Sequence, residues 1–160
     1  MNPNNMIKGF ITAALMIAVV LITYYGQLPA SSPVQYLVYI VYALGIAWTL
    51  LTWRNNEAYT GRFAESFSKG FQCFIIVTLT MTLFTFIFNK MHPEFLEDSA
   101  QAYRAVLLKD KGVLPNQVDE AVANYRSKYM TVLIFGSIIG YLIIGVAVTA
   151  AVSAFLPKRK

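Results

Sequence analysis

Three stretches without a charged side chain decide what this chain can fold into. They cover residues 9–53, 70–89 and 129–157. A helix rises about 1.5 Å per residue, so roughly 20 apolar residues cross the ~30 Å hydrocarbon core of a bilayer. The first stretch is long enough for two crossings and is broken near its middle by Pro29 and Pro33. The chain is therefore predicted to be an all-α integral membrane protein with four transmembrane helices.

The predicted spans lie within a single four-helix membrane domain and cover residues 6–25, 34–53, 71–89 and 130–156. The short connection between the first two makes them antiparallel neighbours. A signal peptide is the alternative interpretation of the first span, because residues 28–32 resemble a cleavage site. A second span follows at once, so we favour the membrane helix.

The polar segment between the third and fourth spans is predicted to form an extramembrane helical hairpin over residues 90–129. It contains twelve of the chain's twenty-one charged residues. Its first helix is expected to have Pro93 at its first helical position, and its second is expected to be capped by Asn116. One apolar side of each helix is predicted to face the other helix; these sides include Val106 on the first helix and Val118, Val122, Tyr125 and Tyr129 on the second. No breaker follows Gln117, so one helix should continue to Leu156 and extend roughly 60 Å.

The segment from Arg54 to Lys69 is predicted to be a helix in the inner membrane interface that bends at Gly70 into the third span. Glu65 and Lys69 have the spacing of a favourable ion pair on this helix. In the second span, Tyr36, Tyr39 and Tyr42 share a side. Interfacial anchoring is favoured for these tyrosines over a ligand-stacking site.

Two further patterns within the spans concern packing. Thr78, Thr82 and Thr85 share a face of the third span, where bonds to their own helix's carbonyl groups are favoured over a polar pathway. Gly136 and Gly140 form a GxxxG motif in the fourth span. This motif lets another backbone approach closely. We expect the partner to be another helix of the same chain rather than a second copy.

The basic residues set the predicted orientation. One side carries Glu57, Glu65 and seven basic residues, whereas the hairpin carries six basic and six acidic ones. Several of the seven directly adjoin spans, which places them in the cytoplasm under the positive-inside rule. We predict that both termini lie in the cytoplasm and that the hairpin lies on the outer side of the membrane. The residues expected to contact lipid head groups or a partner are Arg54, Arg62, Lys69, Lys158, Arg159 and Lys160.

Several function classes lack support in the sequence. Apart from Lys8 at the start of the first span, the spans contain no Asp, Glu, Lys, Arg or His, groups that proton-coupled carriers generally need. No nucleotide-binding or hydrolase motif occurs, and the basic residues form no nucleic-acid stripe. Cys73 is the sole cysteine. We therefore predict no catalytic, cofactor-binding or metal-binding residues and no nucleic-acid partner.

The chain resembles a bacterial membrane family known as domain of unknown function 4199. The specific similarity lies in two runs of residues, 63–71 (FAESFSKGF) and 89–97 (NKMHPEFLE). The general layout extends the similarity over the whole chain. The resemblance implies a four-span inner-membrane protein and assigns no catalytic residue.

Three functions remain as hypotheses. The first is a non-enzymatic membrane scaffold or accessory subunit that binds a membrane-protein partner or a second copy through the hairpin or the spans. The second is a lipid- or polyprenol-handling accessory to a membrane glycosyltransferase, an association that the resemblance suggests. It would use the inner basic residues and the tyrosine and threonine faces. The third, least favoured, is a small enzyme using His92 and nearby carboxylates.

Overall fold

The chain forms five α-helices and, within the described residues, no strand. The computed structural model describes residues 3–27, 33–109 and 114–156. The helices are α1 (Pro3–Tyr25), α2 (Gln35–Arg54), α3 (Phe63–Met91), α4 (Glu94–Lys109) and α5 (Pro115–Phe155). All but α4 are long and apolar enough to cross a membrane. The predicted all-α membrane fold is confirmed, whereas the periplasmic position of α4 stays a prediction.

The helix expected over residues 54–69 forms only from Phe63 onward. Residues 55–62 are not helical, and α3 runs without interruption from Phe63 to Met91. Glu65 and Lys69 each have another partner: the Thr60 hydroxyl donates to the Glu65 carboxylate at 2.7 Å, and the Lys69 amine lies over the Trp53 ring. Gly70 is a point of close helix contact, because a β-carbon there would meet the Thr149 side chain.

The chain divides into two compact units, of which the first comprises Met1–Met81 and Ile138–Lys160. Its core is built from one side of each of four helices. Fully buried side chains include Met16 of α1, Ile46 of α2, Phe74 of α3 and Thr149 of α5. Buried polar groups also meet across helices: the Thr49 hydroxyl and the Cys73 sulfur lie 3.3 Å apart, within hydrogen-bonding distance. Such bonds satisfy polar groups that would otherwise be costly to bury.

Tyr42 is the largest fully buried side chain of this unit. Its hydroxyl donates to the Tyr141 carbonyl at 3.0 Å, and the two rings meet edge to face at 5.9 Å. Tyr36 and Tyr39 are exposed instead. The three tyrosines of α2 therefore do not act together: Tyr42 joins α2 to α5, whereas interfacial anchoring by Tyr36 and Tyr39 stays a prediction.

Four helical glycines of the first unit lie where helices approach most closely. A β-carbon at Gly9 would stand 2.9 Å from the Cys73 carbonyl oxygen, and one at Gly145 would stand 2.6 Å from the Tyr42 hydroxyl. At Gly45 and Gly70, it would meet the side chains of Thr12 and Thr149. Real β-carbons essentially never come closer than 3.0 Å to such atoms. These positions therefore require glycine for packing.

The second unit, Thr82–Ser137, contains the hairpin formed by α4 and the start of α5. Its core consists of Ala100, Val118 and Val122, with Leu107 and Tyr125 packed against them. The two helices pack face to face as predicted. Val106, which the helical pattern placed on the packed side, is instead 64% exposed.

Two ion pairs join the hairpin helices and fix their antiparallel alignment. Arg104 bonds Asp119 at 2.7 Å, and Arg126 bonds Glu97 at 2.6 Å. Each helix advances by seven residues, or about two turns, between the pairs, so both pairs lie on the same side of the hairpin. All four side chains are about half exposed, so each pair is worth only ~0–1 kcal/mol.

The single long helix predicted for residues 117–156 is observed as α5, but its start differs slightly from the prediction. The helix begins at Pro115, so Asn116 lies inside its first turn instead of capping it. The Leu114 amide donates to the Gln117 side chain at 3.2 Å, which is half of a capping box. The Asn116 side chain still accepts a hydrogen bond at this helix end, from the Gln117 amide at 3.0 Å.

The predicted threonine bonding in α3 fails at two positions. The hydroxyls of Thr78 and Thr82 are buried, and neither donates to a carbonyl group of the helix. Elsewhere, Thr12, Thr49 and Ser137 do donate to carbonyl groups four residues earlier, at 2.8–3.0 Å.

Candidate functional site

The most distinctive open surface of the protein is one face of α5. Successive helical residues turn by about 100°, which places Gly136, Gly140, Ala147 and Ala151 within an arc of about 60°. We call these four residues the glycine–alanine face. Nothing within the described chain lies within 4 Å of a β-carbon at Gly136 or Gly140. Ile143, on the same side, is 64% exposed.

The rest of the apolar part of α5 is also little covered. In the most apolar 18-residue segment of α5, 6% of the residues are buried. The buried fraction of the corresponding segment is 22–33% in the other three candidate spans. The buried positions Gly145 and Thr149 lie on the opposite side of the helix. Helix α5 therefore uses one side for packing within the chain and leaves the glycine–alanine face uncovered. The expectation that the GxxxG motif packs against another helix of this chain is not met among the described residues.

A second open feature is a pocket of about 320 Å³ in the hairpin unit. We call it the tyrosine groove, after Tyr103, Tyr125 and Tyr129, which line it. The rings of Tyr103 and Tyr125 stack at 4.8 Å with an 18° angle, and Tyr129 follows at 6.0 Å from Tyr125. The Tyr129 hydroxyl also donates to the Asn89 side chain at 3.3 Å. These contacts hold the aromatic wall in place.

The remaining lining of the groove is half polar and half apolar. Asn124 and Lys128 lie along the polar end, and Val132 and Leu133 along the apolar end. Lys128 is the last charged residue before the charge-free run 129–157. The groove thus lies where α5 changes from a water-compatible to a membrane-compatible surface.

The sequence pattern did not predict this groove. Tyr125 and Tyr129 lie on one stripe of α5, and such spacing is typical of packing against the partner helix. The missing information was Tyr103, which comes from α4 and lies 22 positions away from Tyr125. The clustering of three tyrosines beside a lysine at the end of a charge-free run is a signal that could have suggested it.

The inner basic residues separate into two groups. Lys69 lies 4.4 Å from the centre of the Trp53 ring, and Lys8 lies 5.5 Å from that of Trp48. Arg54 and Arg62 are exposed. A shallow pocket adjoins Lys69 and is also lined by Trp53, Glu65 and Ser68. The predicted contact residues Lys158, Arg159 and Lys160 lie outside the described residues.

His92 has a simple local partner. Its Nδ1 atom lies 2.8 Å from the Glu94 carboxylate, and its ring packs against Phe88 and Phe95. Within the described ranges, no group of three or more His, Cys, Asp or Glu side chains is placed to hold a metal ion. The histidine is built into an aromatic cluster where α3 meets α4.

Comparison with known proteins places the chain in a family without adding a function. No curated protein matches it, and no solved structure does. Residues 8–158 match the family described as "Protein of unknown function (DUF4199)". The match includes all four apolar helices apart from the first residues of α1. The chain therefore belongs to the DUF4199 family of proteins of unknown function.

Proposed function

We propose that the protein is a non-enzymatic membrane scaffold that assembles with a second copy of itself through the glycine–alanine face of α5. The observation that carries the proposal is the contrast between two sets of glycines. Neighbouring helices occupy the space beside four of them, Gly9, Gly45, Gly70 and Gly145. Gly136 and Gly140 face open space instead. Glycine weakens a helix by about 1 kcal/mol relative to alanine, so an unused pair needs an explanation.

A second copy is the partner best matched to this face. Helices in lipid associate through close van der Waals packing, and small residues allow their backbones to approach. Two identical faces can pair about a twofold axis, so each glycine groove receives the same groove of the other copy. Ala147 and Ala151 lengthen the flat contact region beyond the GxxxG motif.

The proposed placement is the bacterial inner membrane with both termini in the cytoplasm. The basic residues that adjoin the spans support this orientation. The hairpin would then lie in the periplasm. Two of its apolar residues are exposed there, Val106 to 64% and Leu108 to 61%. In this arrangement, a dimer of spans displays two hairpins to a periplasmic partner.

Disulfide cross-linking in native membranes tests the proposal. In a Cys73→Ser background, Ile143→Cys should form cross-linked dimers on oxidation, since Ile143 lies beside the two glycines. Phe135→Cys is the matched control, because Phe135 is equally exposed at 62% but lies about 100° around the helix from Gly136. Adding Gly140→Leu to the Ile143→Cys protein should abolish the cross-link.

Two other cross-linking results would contradict the proposal. Equal dimer yields from Ile143→Cys and Phe135→Cys would indicate random collision. An Ile143→Cys protein that stays monomeric and cross-links to another membrane protein would show that the face serves a different partner. Gly140→Leu variants must retain the helical circular-dichroism signal of the wild type for a loss of dimer to be informative.

A lipid-handling accessory role is the second candidate function. The two lysine–tryptophan pairs favour it, because a lysine over an indole ring is typical of the head-group region. The lysine variants Lys69→Gln and Lys8→Gln should lower retention of anionic lipid in native mass spectrometry if this role is real. Retention equal to that of the wild type would remove the basis for it.

A further inference from the structure

We infer that the tyrosine groove binds the head group of an anionic phospholipid whose acyl chain continues along α5. The proposed dimer is not needed to form the groove, because the lining residues come from α4 and α5 of one chain. Three properties of the groove support the inference: a wall that is already formed, a charge without a partner, and an apolar exit.

The wall is formed before any ligand binds. Tyr103 and Tyr125 stack on each other, and Tyr129 is held by Asn89. A ligand therefore need not order these side chains, which lowers the entropic cost of binding. The volume of about 320 Å³ is at the lower end of the range for small-molecule sites and suits a head group rather than a whole lipid.

The groove carries one positive charge that the hairpin does not neutralise. Arg104 and Arg126 are both engaged with carboxylates across the hairpin. Lys128 forms no ion pair with any described residue, and no Asp or Glu lines the groove. A bound anion would therefore find a cation free of competition, with the Asn124 amide beside it as a further hydrogen-bond donor.

The apolar end of the groove determines which anion fits. Val132 and Leu133 belong to the charge-free run, and Val132 is 65% exposed. A free phosphate would leave this surface uncovered, whereas an acyl chain would cover it and continue along the exposed side of α5. The combination of a cation, an aromatic wall and an apolar exit at a predicted membrane boundary thus matches a phospholipid with a net negative head group.

Native mass spectrometry on delipidated protein tests this inference. The protein is incubated with vesicles of equimolar phosphatidylglycerol and phosphatidylcholine, and the retained lipid is identified. Wild type should retain phosphatidylglycerol preferentially. Lys128→Gln should weaken this retention by about tenfold, the size expected for losing a charge-assisted bond. Lys109→Gln is the matched control, since it removes the same charge from the same hairpin outside the groove.

Two further arms separate the groove from general attraction to anions. Tyr103→Leu keeps every charge but shortens the wall, and should also reduce retention. Soluble glycerol phosphate should fail to displace the lipid, because it lacks the acyl chain. Equal losses in Lys128→Gln and Lys109→Gln, displacement by glycerol phosphate, or preferential retention of phosphatidylcholine would each overturn the inference. Helical circular dichroism confirms that each variant remains folded.

Discussion

Individual glycines distinguish the two sides of α5. At Gly145, an added β-carbon would meet the Tyr42 hydroxyl and the Phe74 ring, both fully buried and unable to move aside. At Gly136, the same carbon would meet nothing within 4 Å. A single methyl group should therefore have opposite effects at two positions nine residues apart on the same helix.

We expect Gly145→Ala to destabilise the protein and Gly136→Ala to leave the isolated chain as stable or more so. Overpacking costs about 1–3 kcal/mol, which exceeds the ~1 kcal/mol that alanine gains in helix propensity. At Gly136, only the gain in helix propensity applies, because the added methyl group meets no other atom of the described chain. Reversible unfolding of monomeric protein in mixed micelles measures both changes. Similar stability of the two variants would contradict the close approach at Gly145.

The buried Tyr42 hydroxyl provides a second residue-level prediction. Tyr42→Phe removes its bond to the Tyr141 carbonyl and should cost about 0.5–1.5 kcal/mol. Tyr36→Phe removes the same hydroxyl from a position that is 68% exposed on the same helix, and should have no measurable effect. The same unfolding titration compares them, and equal effects would argue against a structural role for the Tyr42 bond.

At the scale of the element, the hairpin core is small and therefore sensitive to truncation. Val118→Ala should lower the stability of the hairpin by about 1–3 kcal/mol, because Val118 is 1% exposed. Val106→Ala, at 64% exposure, is the control and should change little. Amide hydrogen exchange across α4 reports the difference. Unchanged protection in Val118→Ala would show that the core contributes little to the hairpin.

An element could be predicted from the sequence where the residue pattern that indicates it lies within one short stretch of the chain. The long helix α5 was predictable because residues 117–156 contain no breaker, and the hairpin because both of its helices are amphipathic. The packing role of Gly70 was not predictable, since it depends on Thr149, which lies 79 positions further along the chain. The tyrosine groove was missed for the same reason: its wall combines residues from two helices.

The whole molecule is predicted to place its two polar segments on opposite sides of the membrane. Single cysteines in a Cys73→Ser background test this with a membrane-impermeant maleimide. Gln101→Cys in the hairpin should react in intact cells, whereas Ala58→Cys between α2 and α3 should react only after the membrane is opened. Both positions are exposed, so accessibility to the reagent is comparable. Labelling of both from the same side would refute the four-span arrangement.

The cancelling charges of the hairpin have a kinetic consequence. The segment from Asn89 to Lys128 carries six basic and six acidic residues, and two oppositely charged pairs bridge its helices. Long-range steering, which raises association rates up to 10³-fold in strongly charged proteins, is therefore weak at this surface. A protein that docks here would arrive at an ordinary diffusive rate of about 10⁵–10⁶ M⁻¹s⁻¹, nearly independent of ionic strength.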